Sequence, residues 1–572
     1  MQHLSALLLS DFNLGNFSRY LERDGDVPAV ACRSAPSAQV ISALLNPFTD
    51  GQRPDFAVIW SSPEHVSPTY ARCRNNREGD LETILVEVDT FCAAVTKLCL
   101  DVDLVFVPSW VPVLETSGSF LLGMRGPLGA SRLLLEMNVR LARNLEKVPN
   151  VYLLDVTRWM GSVDGRPRNP KLWYLAKVPF ANEVFVAAVK DIKSCLRGLR
   201  GGARKLILLD LDDTLWGGLV GDVGWEKLRL GGHDPAGEAY ADFQRALRAM
   251  THRGFLLGIV SKNEEATALE AIDRHPEMVL GLQDFAGWRI NREDKARNIV
   301  ELVHELNLGL DAVVFIDDSP VERARVREAL PEVLVPEWPA DCMLYPRALA
   351  ELRCFETPAV TAEDSMRTRM YVSERSRAAL LDRVGSVDAW LKSLEIRVDV
   401  EEVGKGNADR ALQILNRTNQ MNLATRRLNE TEFRDWRAGR ARRSWCFRVS
   451  DRLGDSGIAG LLSIEHVDDV AEIRDWVLSC RVMGRKIEET MLHVAIDYAQ
   501  SVGLRKVRAT LEPTAKNAPC LAFLQRAGFP AREGEHTFVW NVEREYPLPE
   551  AVACPKAAWR AADEHAGHGR RT

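Results

Sequence analysis

The chain has 572 residues, of which 46% are hydrophobic and 27% charged, and its formal net charge is -6. Its length predicts about three or four domains, and its composition excludes a mostly disordered or fibrous chain. The mildly acidic balance gives no general attraction to nucleic acid, and no apolar run approaches the roughly 18–20 residues that span a bilayer. We therefore expect a globular protein with neither nucleic acid nor a membrane among its partners.

The N-terminus and the cysteines indicate the compartment. The apolar run in MQHLSALLLSDFNLG lacks the basic region and cleavage pattern of a signal peptide, and it predicts a first β-strand. The 11 cysteines are scattered and form no C-x-x-C pair. This usage indicates reduced thiols, no structural zinc and a cytoplasmic location.

The first block, residues 1–200, alternates short apolar runs with helical stretches, which predicts an α/β domain with a mainly parallel sheet. Its predicted strands include residues 56–60, 104–107 and 151–155, and its predicted helices include residues 80–99 and 131–145.

The second block, residues 201–355, follows the Arg/Gly-rich joint LRGLRGGARK (196–205). The continuous apolar run KLILLDLDD, which ends in acids, predicts a buried parallel strand. Further apolar strands and amphipathic helices follow, and ligands of open α/β sheets bind at the carboxyl ends of the strands. The predicted strands are residues 255–260 and 312–316, and the predicted helices are residues 236–250, 264–274, 297–306 and 320–330.

The last third contains a helical connector (356–390), an α+β domain (391–546) and a tail (547–572) without a core pattern, which predicts disorder. The fold class predicted for the whole chain is α/β and multidomain. In the α+β domain, strands are predicted near residues 395–402, 444–449, 458–466, 474–479 and 507–512, and helices at residues 486–501 and 518–527.

Phosphoryl chemistry is indicated by DLDDT, directly after the first strand of the second block. Asp210 has the position of a nucleophile that attacks phosphorus, and Asp212 that of the acid that protonates the leaving oxygen and later activates water. An anionic nucleophile near an anionic phosphoryl group requires positive charge nearby. Lys295 supplies one such charge, and Asp317 and Asp318, after another strand, are carboxylates suited to Mg²⁺.

These elements, with Ser261 at the end of a third strand, resemble the haloacid dehalogenase (HAD) superfamily of phosphohydrolases and phosphotransferases. Taken singly, a strand-end acid cluster is also compatible with a solvated turn or a helix cap. The resemblance implies that Thr214, Ser261, Lys262 and Asn263 bind phosphate and that Asp210, Asp212, Asp317 and Asp318 hold Mg²⁺. The short spacings between the motifs leave no room for a large cap domain.

Longer segments carry a closer resemblance, and they are DLDDTLWGGLVGD, GIVSKNEE, ELNLGLDAVVFIDDSPVER, NRTNQMNLATRR, LSCRVMGR, PTAKNAP and LWYLAKVPFA. Together they are similar to the FkbH-like proteins of polyketide biosynthesis over residues 150–530. The resemblance implies an SGNH-hydrolase-like N-terminal domain, a HAD domain and a GNAT-like, acyltransferase-fold C-terminal domain. It further implies a glyceryl transferase/phosphatase that takes 1,3-bisphosphoglycerate and loads an acyl carrier protein with a glyceryl thioester.

Cys480 is the predicted acyl acceptor, because a thiolate traps an acyl phosphate as a thioester. It follows a predicted strand, beside Arg481 and just before a helix, where positive charge would lower a thiol pKa and attract phosphate. A buried structural cysteine is the alternative, and Cys520 is the second candidate.

The segment Arg481–Lys486 resembles the GNAT pyrophosphate loop, but Lys486 stands where the last small residue is expected. This departure favours a phosphopantetheine arm over acetyl-CoA, with ordinary N-acetylation as the alternative. The residues predicted to bind that arm are Arg481, Gly484, Arg485, Lys486, Lys516 and Asn517.

Two features leave their function open. An arginine run suggests steering of an acidic carrier protein, with an ordinary solvated face as the alternative; it comprises Arg426, Arg427, Arg434, Arg437, Arg440, Arg442 and Arg443. Ser10 and Asp11 lie where an SGNH serine is expected, yet LWYLAKVPF replaces the Asp-x-x-His of a hydrolase, which favours a docking or lid role for this domain.

The sequence is compatible with three functions. They are the glyceryl transferase/phosphatase, a Mg²⁺-dependent HAD phosphatase or phosphotransferase that acts on another phosphorylated acid, and a non-catalytic protein that docks a carrier protein.

Overall fold

The computed structural model divides into two compact units, Met1–Arg197 and Gly198–Thr572. The division falls within the Arg/Gly-rich joint at which the sequence predicts the first domain boundary. The residues that the structure describes are 3–34, 40, 44, 53–75, 79–113, 121–125, 129–357, 371, 373, 377, 380–381, 383–528, 536–555 and 559.

The first unit is built on a five-stranded parallel sheet of order β2-β1-β3-β4-β5. The predicted parallel α/β domain is confirmed, whereas β2 was not predicted. The strands are β1 (His3–Ser10), β2 (Ala29–Ser34), β3 (Phe56–Trp60), β4 (Val105–Pro108) and β5 (Val151–Leu154). The helices are α1 (Gly15–Arg23), α2 (Pro63–Val66), α3 (Pro68–Arg74), α4 (Leu81–Leu98), α5 (Ala130–Leu145), α6 (Val156–Gly161), α7 (Pro170–Ala176) and α8 (Asn182–Leu199).

The second unit begins with a four-stranded parallel sheet of order β8-β7-β6-β9, which we call the Asp210 domain. Leu206 and Leu208 of β6 pack into one core cluster and Ile207 and Leu209 into another, so both faces of the sheet are covered, as in other parallel sheets. Its strands are β6 (Leu206–Leu209), β7 (Leu256–Ser261), β8 (Phe285–Ile290) and β9 (Val313–Ile316). Its helices are α9 (Val220–Val223), α10 (Pro235–His252), α11 (Glu265–Arg274), α12 (Lys295–Glu305), α13 (Pro320–Ala329) and α14 (Tyr345–Glu351).

The described residues among 371–384 are helical and lead to an eight-stranded, mostly antiparallel sheet, which with its helices forms the C-terminal domain. The main order is β16-β15-β14-β13-β12-β10-β17, and β11 pairs with β14. The strands are β10 (Ile396–Glu402), β11 (Met421–Asn422), β12 (Arg442–Asp451), β13 (Gly454–Val467), β14 (Val470–Leu478), β15 (Lys506–Thr510), β16 (Thr537–Asn541) and β17 (Val552–Ala553). The helices are α15 (Val387–Leu394), α16 (Ala408–Arg417), α17 (Glu430–Arg437), α18 (Ile487–Ser501) and α19 (Ala518–Arg526).

The prediction that residues 547–572 form a disordered tail is wrong at its start. Strand β17 pairs in parallel with β10 at the sheet edge. Trp559 is buried and donates from Nε1 to Asp497, 2.8 Å away. A strand of 2 residues is too short to show a hydrophobic period, so β17 could not be predicted from the pattern. Among the described residues, no helix has the length and apolarity needed to cross a membrane.

Candidate active site

Polar residues end three neighbouring strands of the Asp210 domain. Strand β6 pairs in parallel with β7 on one side and β9 on the other. The carboxyl ends of these strands therefore meet at one edge of the sheet, which places Asp210, Ser261 and Asp317 together. All three are buried.

Lys295 joins two of the carboxylates. Its Nζ lies 2.9 Å from Asp210 Oδ2 and 2.6 Å from Asp317 Oδ2. It is the first residue of α12, which Asp294 caps by accepting a hydrogen bond from the Arg297 amide. Burial alone would lower the pKa of Lys295, but the charges of Asp210 and Asp317 outweigh it and raise that pKa. The ammonium group is thus fixed as a cation between the predicted nucleophile and a predicted metal ligand.

Three of the four predicted metal ligands form one cluster. Asp210, Asp317 and Asp318 offer carboxylate oxygens within 4.8 Å of one another. Burial and repulsion from Asp210 raise the pKa of Asp317 to about 6, although Lys295 opposes the shift. Crowded carboxylates with few compensating charges are the donor set that a hard cation such as Mg²⁺ prefers, so these residues fit Mg²⁺.

The carboxylate of Asp212, the fourth predicted metal ligand, is held by other groups. Its Oδ1 accepts from Trp216 Nε1 at 2.9 Å and from the Val220 amide at 3.0 Å, and its Oδ2 accepts from Asn263 Nδ2 at 3.0 Å. Burial raises the pKa of Asp212 even though these donors lower it. A carboxyl group that holds its proton more tightly than usual suits a general acid. The described acid cluster does not include the Asp212 carboxylate, and the metal-binding role of Asp212 stays a prediction.

The predicted phosphate-binding residues surround this edge in different ways. Asn263 Nδ2 also donates to Ser261 Oγ, 3.2 Å away, which links that hydroxyl to Asp212. Thr214 Oγ1 accepts from the Asp318 amide at 3.2 Å and so ties the two acid loops together. Lys262 is more exposed and pairs with Glu322 at 2.6 Å.

Arg323, which was not predicted, supports the backbone of the Asp317–Asp318 loop. Its buried guanidinium donates from Nη1 to the carbonyl oxygens of Asp317 and Asp318, at 2.8 and 2.6 Å. It lies in the SPVER segment quoted for the family resemblance, and the first turn of a helix after an acid pair was the available signal.

Cys480 lies at a different place in the second unit. It follows β14 and begins a short 3-10 helix, Cys480–Val482. Cys480 lines a cavity of about 520 Å³ between the Asp210 domain and the C-terminal domain. The other candidate thiol, Cys520, is buried in the core, and burial raises its pKa to about 12. The geometry therefore favours Cys480 as the reactive thiol.

The six residues predicted to bind phosphopantetheine have different environments. Arg481 and Lys516 line the cavity. Arg485 is almost fully buried, and its Nη1 lies 3.2 Å from Asp451 Oδ2, so its guanidinium belongs to an internal ion pair. This placement argues against its predicted contact with a phosphate.

The remaining three also have local partners. Lys486 pairs with Glu489 at 2.8 Å. Gly484 adopts a positive φ of 74°, and its amide donates to Glu488 Oε1 at 2.8 Å. Asn517 is buried, and its Nδ2 donates to the carbonyl oxygen of Glu512 at 2.8 Å. Their contact with phosphopantetheine stays a prediction.

Part of the arginine run belongs to the packing of the C-terminal domain. Arg426 Nε donates to Asp475 Oδ1 at 2.9 Å, and Arg442 Nε donates to Glu465 Oε1 at 2.7 Å. The two guanidinium carbons lie 4.9 and 5.2 Å from the centre of the Trp436 ring, within the range of a cation–π contact. At these two positions the arginines are neither a simple solvated face nor freely presented cations.

In the first unit, polar residues also gather where β1 and β3 end. Ser10 Oγ is buried and accepts from the Phe12 amide at 3.1 Å. Asp11 accepts hydrogen bonds from the amide and the hydroxyl of Ser62 and lies 3.7 Å from His65 Nδ1. Ser62 and His65, which the sequence patterns did not single out, therefore lie beside Asp11 at this end of the sheet. The docking or lid role stays a prediction.

Comparison with known proteins gives a likeness to a solved structure. The chain matches no protein-family model, and no curated protein matches it. It is similar to the N-terminal part of the protein BF1531 from Bacteroides fragilis, which contains a phosphatase domain and was crystallised in complex with Mg. The identity is 26% and the TM-score 0.58, over 63% of this chain and 95% of that one.

A second match is a GNAT-family acetyltransferase from Staphylococcus aureus, with 10% identity and a TM-score of 0.20 over 25% of this chain and 99% of that one. A TM-score this low assigns nothing to the C-terminal domain, whose description rests on its own strand order. The multidomain α/β fold is confirmed.

Proposed function

We propose that this protein is a glyceryl transferase/phosphatase of the FkbH-like type, which takes 1,3-bisphosphoglycerate and loads an acyl carrier protein with a glyceryl group. The observation that carries the phosphatase half is the placement of Lys295 between Asp210 and Asp317, with Asp318 completing the acid cluster. The likeness to a structure with a phosphatase domain, crystallised with Mg, supports the same half. The transferase half rests on Cys480 in its cavity and on the family resemblance of the sequence.

At the Asp210 site the substrate is the phosphate ester of the acyl group. Asp210 attacks phosphorus, so a phosphorus–oxygen bond to the carboxylate forms while the ester bond breaks. Asp212 gives its proton to the leaving oxygen, and it then takes a proton from the water that hydrolyses the aspartyl phosphate. Lys295 keeps a positive charge beside Asp210 throughout. Mg²⁺ held by Asp210, Asp317 and Asp318 would act as a Lewis acid on phosphoryl oxygens.

At Cys480 the substrate is the acyl phosphate. The thiolate attacks the acyl carbon, a carbon–sulfur bond forms, and the bond to the phosphate oxygen breaks, which releases inorganic phosphate. The thiolate of a phosphopantetheine arm then attacks the thioester, and Cys480 leaves as the thiolate. The phosphate is already a good leaving group, so the chain needs only to position the thiol and to stabilise negative charge.

The test uses the full chain with Mg²⁺, 1,3-bisphosphoglycerate generated in situ and a holo carrier protein, and measures phosphate release together with the mass of the carrier. We expect a glyceryl increment on the carrier, and acetyl phosphate in place of the bisphosphate should not support equal loading. Phosphate release that depends on Asp210 without any carrier increment would contradict the transferase and leave a phosphatase for another phosphorylated acid. The absence of both phosphate release and a carrier increment would contradict the proposal that the protein is an enzyme of this type.

A further inference from the structure

The cavity at Cys480 is lined by residues of both domains of the second unit. Residues on the Asp210 domain side come from the joint at 201–203 and from the segments just before β6 and β9. On the C-terminal domain side, Arg410, Ile414 and Arg417 lie on one face of α16, because they recur at helical spacing. The two domains therefore build this cavity jointly.

The charges that line the cavity have one predominant sign. Its acidic lining residue is Asp311, which forms an exposed ion pair with Lys516 at 2.6 Å. The basic lining residues are Lys205, Arg410, Arg417, Arg481 and Lys516. Positive charge that several elements direct at one concave space raises the local concentration of anions.

The cavity lies at the opposite end of the sheet from the phosphoryl site. Lys205 precedes β6, and Asp210 follows it. At a rise of about 3.3 Å per residue, the five steps separate their Cα atoms by roughly 16 Å. An anion held at Lys205 is thus not the group that Asp210 attacks.

We propose that this cavity is a second phosphate-binding site, which holds a phosphate-bearing acyl or pantetheine group beside Cys480 with charge from both domains. The proposal rests on the proposed function only for its choice of ligand; the anion site itself follows from the lining charges. It assigns Lys205, Arg410 and Arg417 as positioning residues for acyl transfer, and it requires the acyl group to travel before Asp210 can remove its phosphate.

The test compares two alkylating agents of similar size, anionic iodoacetate and neutral iodoacetamide. Peptide mass spectrometry of the full chain gives the rate at which each agent alkylates Cys480. The iodoacetate-to-iodoacetamide ratio of these rates is compared with the same ratio for free mercaptoethanol. We expect a higher ratio at Cys480, which falls about two- to fivefold for each charge removed in Arg410→Gln and Arg417→Gln. Arg417→Lys, which keeps the charge, should restore the ratio, and it also controls for folding.

Arg474→Gln is the matched control, because Arg474 is a half-exposed arginine of the same domain that pairs with Glu465 outside the cavity lining. Its ratio should equal that of wild type. Protection of Cys480 by 3-phosphoglycerate would identify the acyl source of the phosphate, and protection by phosphopantetheine would identify the carrier arm.

An iodoacetate-to-iodoacetamide ratio at Cys480 that equals the mercaptoethanol ratio and does not change in the variants would overturn the anion site. Failure of both 3-phosphoglycerate and phosphopantetheine to protect Cys480 would also overturn it. This readout needs no turnover. A negative alkylation result therefore does not contradict carrier loading, and a negative carrier-loading result does not contradict the anion site.

Discussion

The Asp210 site and the Cys480 cavity both contain cationic side chains, but they differ in how closely those side chains are packed. At Asp210, buried groups contact one another directly, and the Lys295 ammonium lies within 3 Å of two carboxylates. At Cys480, cations of two domains surround about 520 Å³ of open space, and the Lys516–Asp311 pair is more than half exposed on both sides.

This difference in packing is consistent with the reaction proposed at each site. Transfer of a phosphoryl group requires donors and charges that are fixed before the substrate arrives. Acyl transfer to a carrier requires room for a long arm to enter and leave. Substitutions at each site should show whether the Asp210 site is rigid and catalytic and whether the Cys480 cavity is open and acts through its charge.

The largest expected effect comes from Asp210→Asn. Loss of the nucleophile should lower release of the ester phosphate by a factor on the order of 10⁴–10⁶, as for other covalent enzymes, while the acyl phosphate is still released at Cys480. The rate of Cys480 alkylation should stay the same because the two sites lie at opposite ends of the sheet. Steady-state phosphate release from 3-phosphoglycerate, which has only the ester phosphate, and peptide mass spectrometry measure the two quantities, and a parallel fall in both would show that the sites are not separate.

Lys295→Met tests the buried pairing at the Asp210 site. The change leaves two close, buried carboxylates without their cation, so the free energy of unfolding without Mg²⁺ should fall by about 3–5 kcal/mol. Added Mg²⁺ should recover part of the loss, because it supplies the missing charge. Lys262→Met is the control: its exposed pair with Glu322 should contribute less than about 1 kcal/mol. Denaturant unfolding of both variants with and without Mg²⁺ decides the matter.

Arg485→Ala separates a structural arginine from a ligand-binding one. Arg485 and Asp451 are both almost fully buried, and Asp451 also pairs with Arg377 at 2.7 Å. Removal of Arg485 should destabilise the chain by about 3–5 kcal/mol, whereas Arg397→Ala, at an exposed pair with Asp399, should leave the stability nearly unchanged. Unchanged stability with weaker carrier binding would restore the phosphate-binding role predicted from the sequence.

The smallest expected effect on stability is that of Lys516→Gln. Its exposed pair with Asp311 should contribute less than about 1 kcal/mol. The iodoacetate-to-iodoacetamide ratio at Cys480 should nevertheless fall, because Lys516 lines the cavity. A large loss of stability would mean that this pair holds the two domains together instead.

Much of the Asp210 site could be predicted because its residues follow apolar strands. In a parallel sheet, position at a strand end fixes position in space, so Asp210, Ser261 and Asp317 could be placed together from the sequence. The environment of the Asp212 carboxylate was less accessible, since its donors are Trp216 and Val220 in the segment after it and Asn263 in the loop after β7. Strand β8 was missed because FAGWRI carries two polar or flexible interruptions in a short run.

The Cys480 cavity could be predicted only on one side. Cys480 and Arg481 lie in one family-like segment and Arg417 in another, but no local pattern encodes the packing of two domains that brings them together with Lys205 and Arg410. The burial of Arg485 was likewise invisible, because its partner Asp451 lies 34 residues away in the chain. Local motifs thus predict the rigid site better than the composite one.

The most direct test of the two-site account is the intact mass of the purified enzyme after exposure to Mg²⁺ and 1,3-bisphosphoglycerate generated in situ, without a carrier. Wild type and Cys520→Ala should gain an acyl increment that Cys480→Ala does not show, and Asp210→Asn should gain an increment that keeps its phosphate. An increment that persists in Cys480→Ala, or that is absent in all four proteins, would contradict the account.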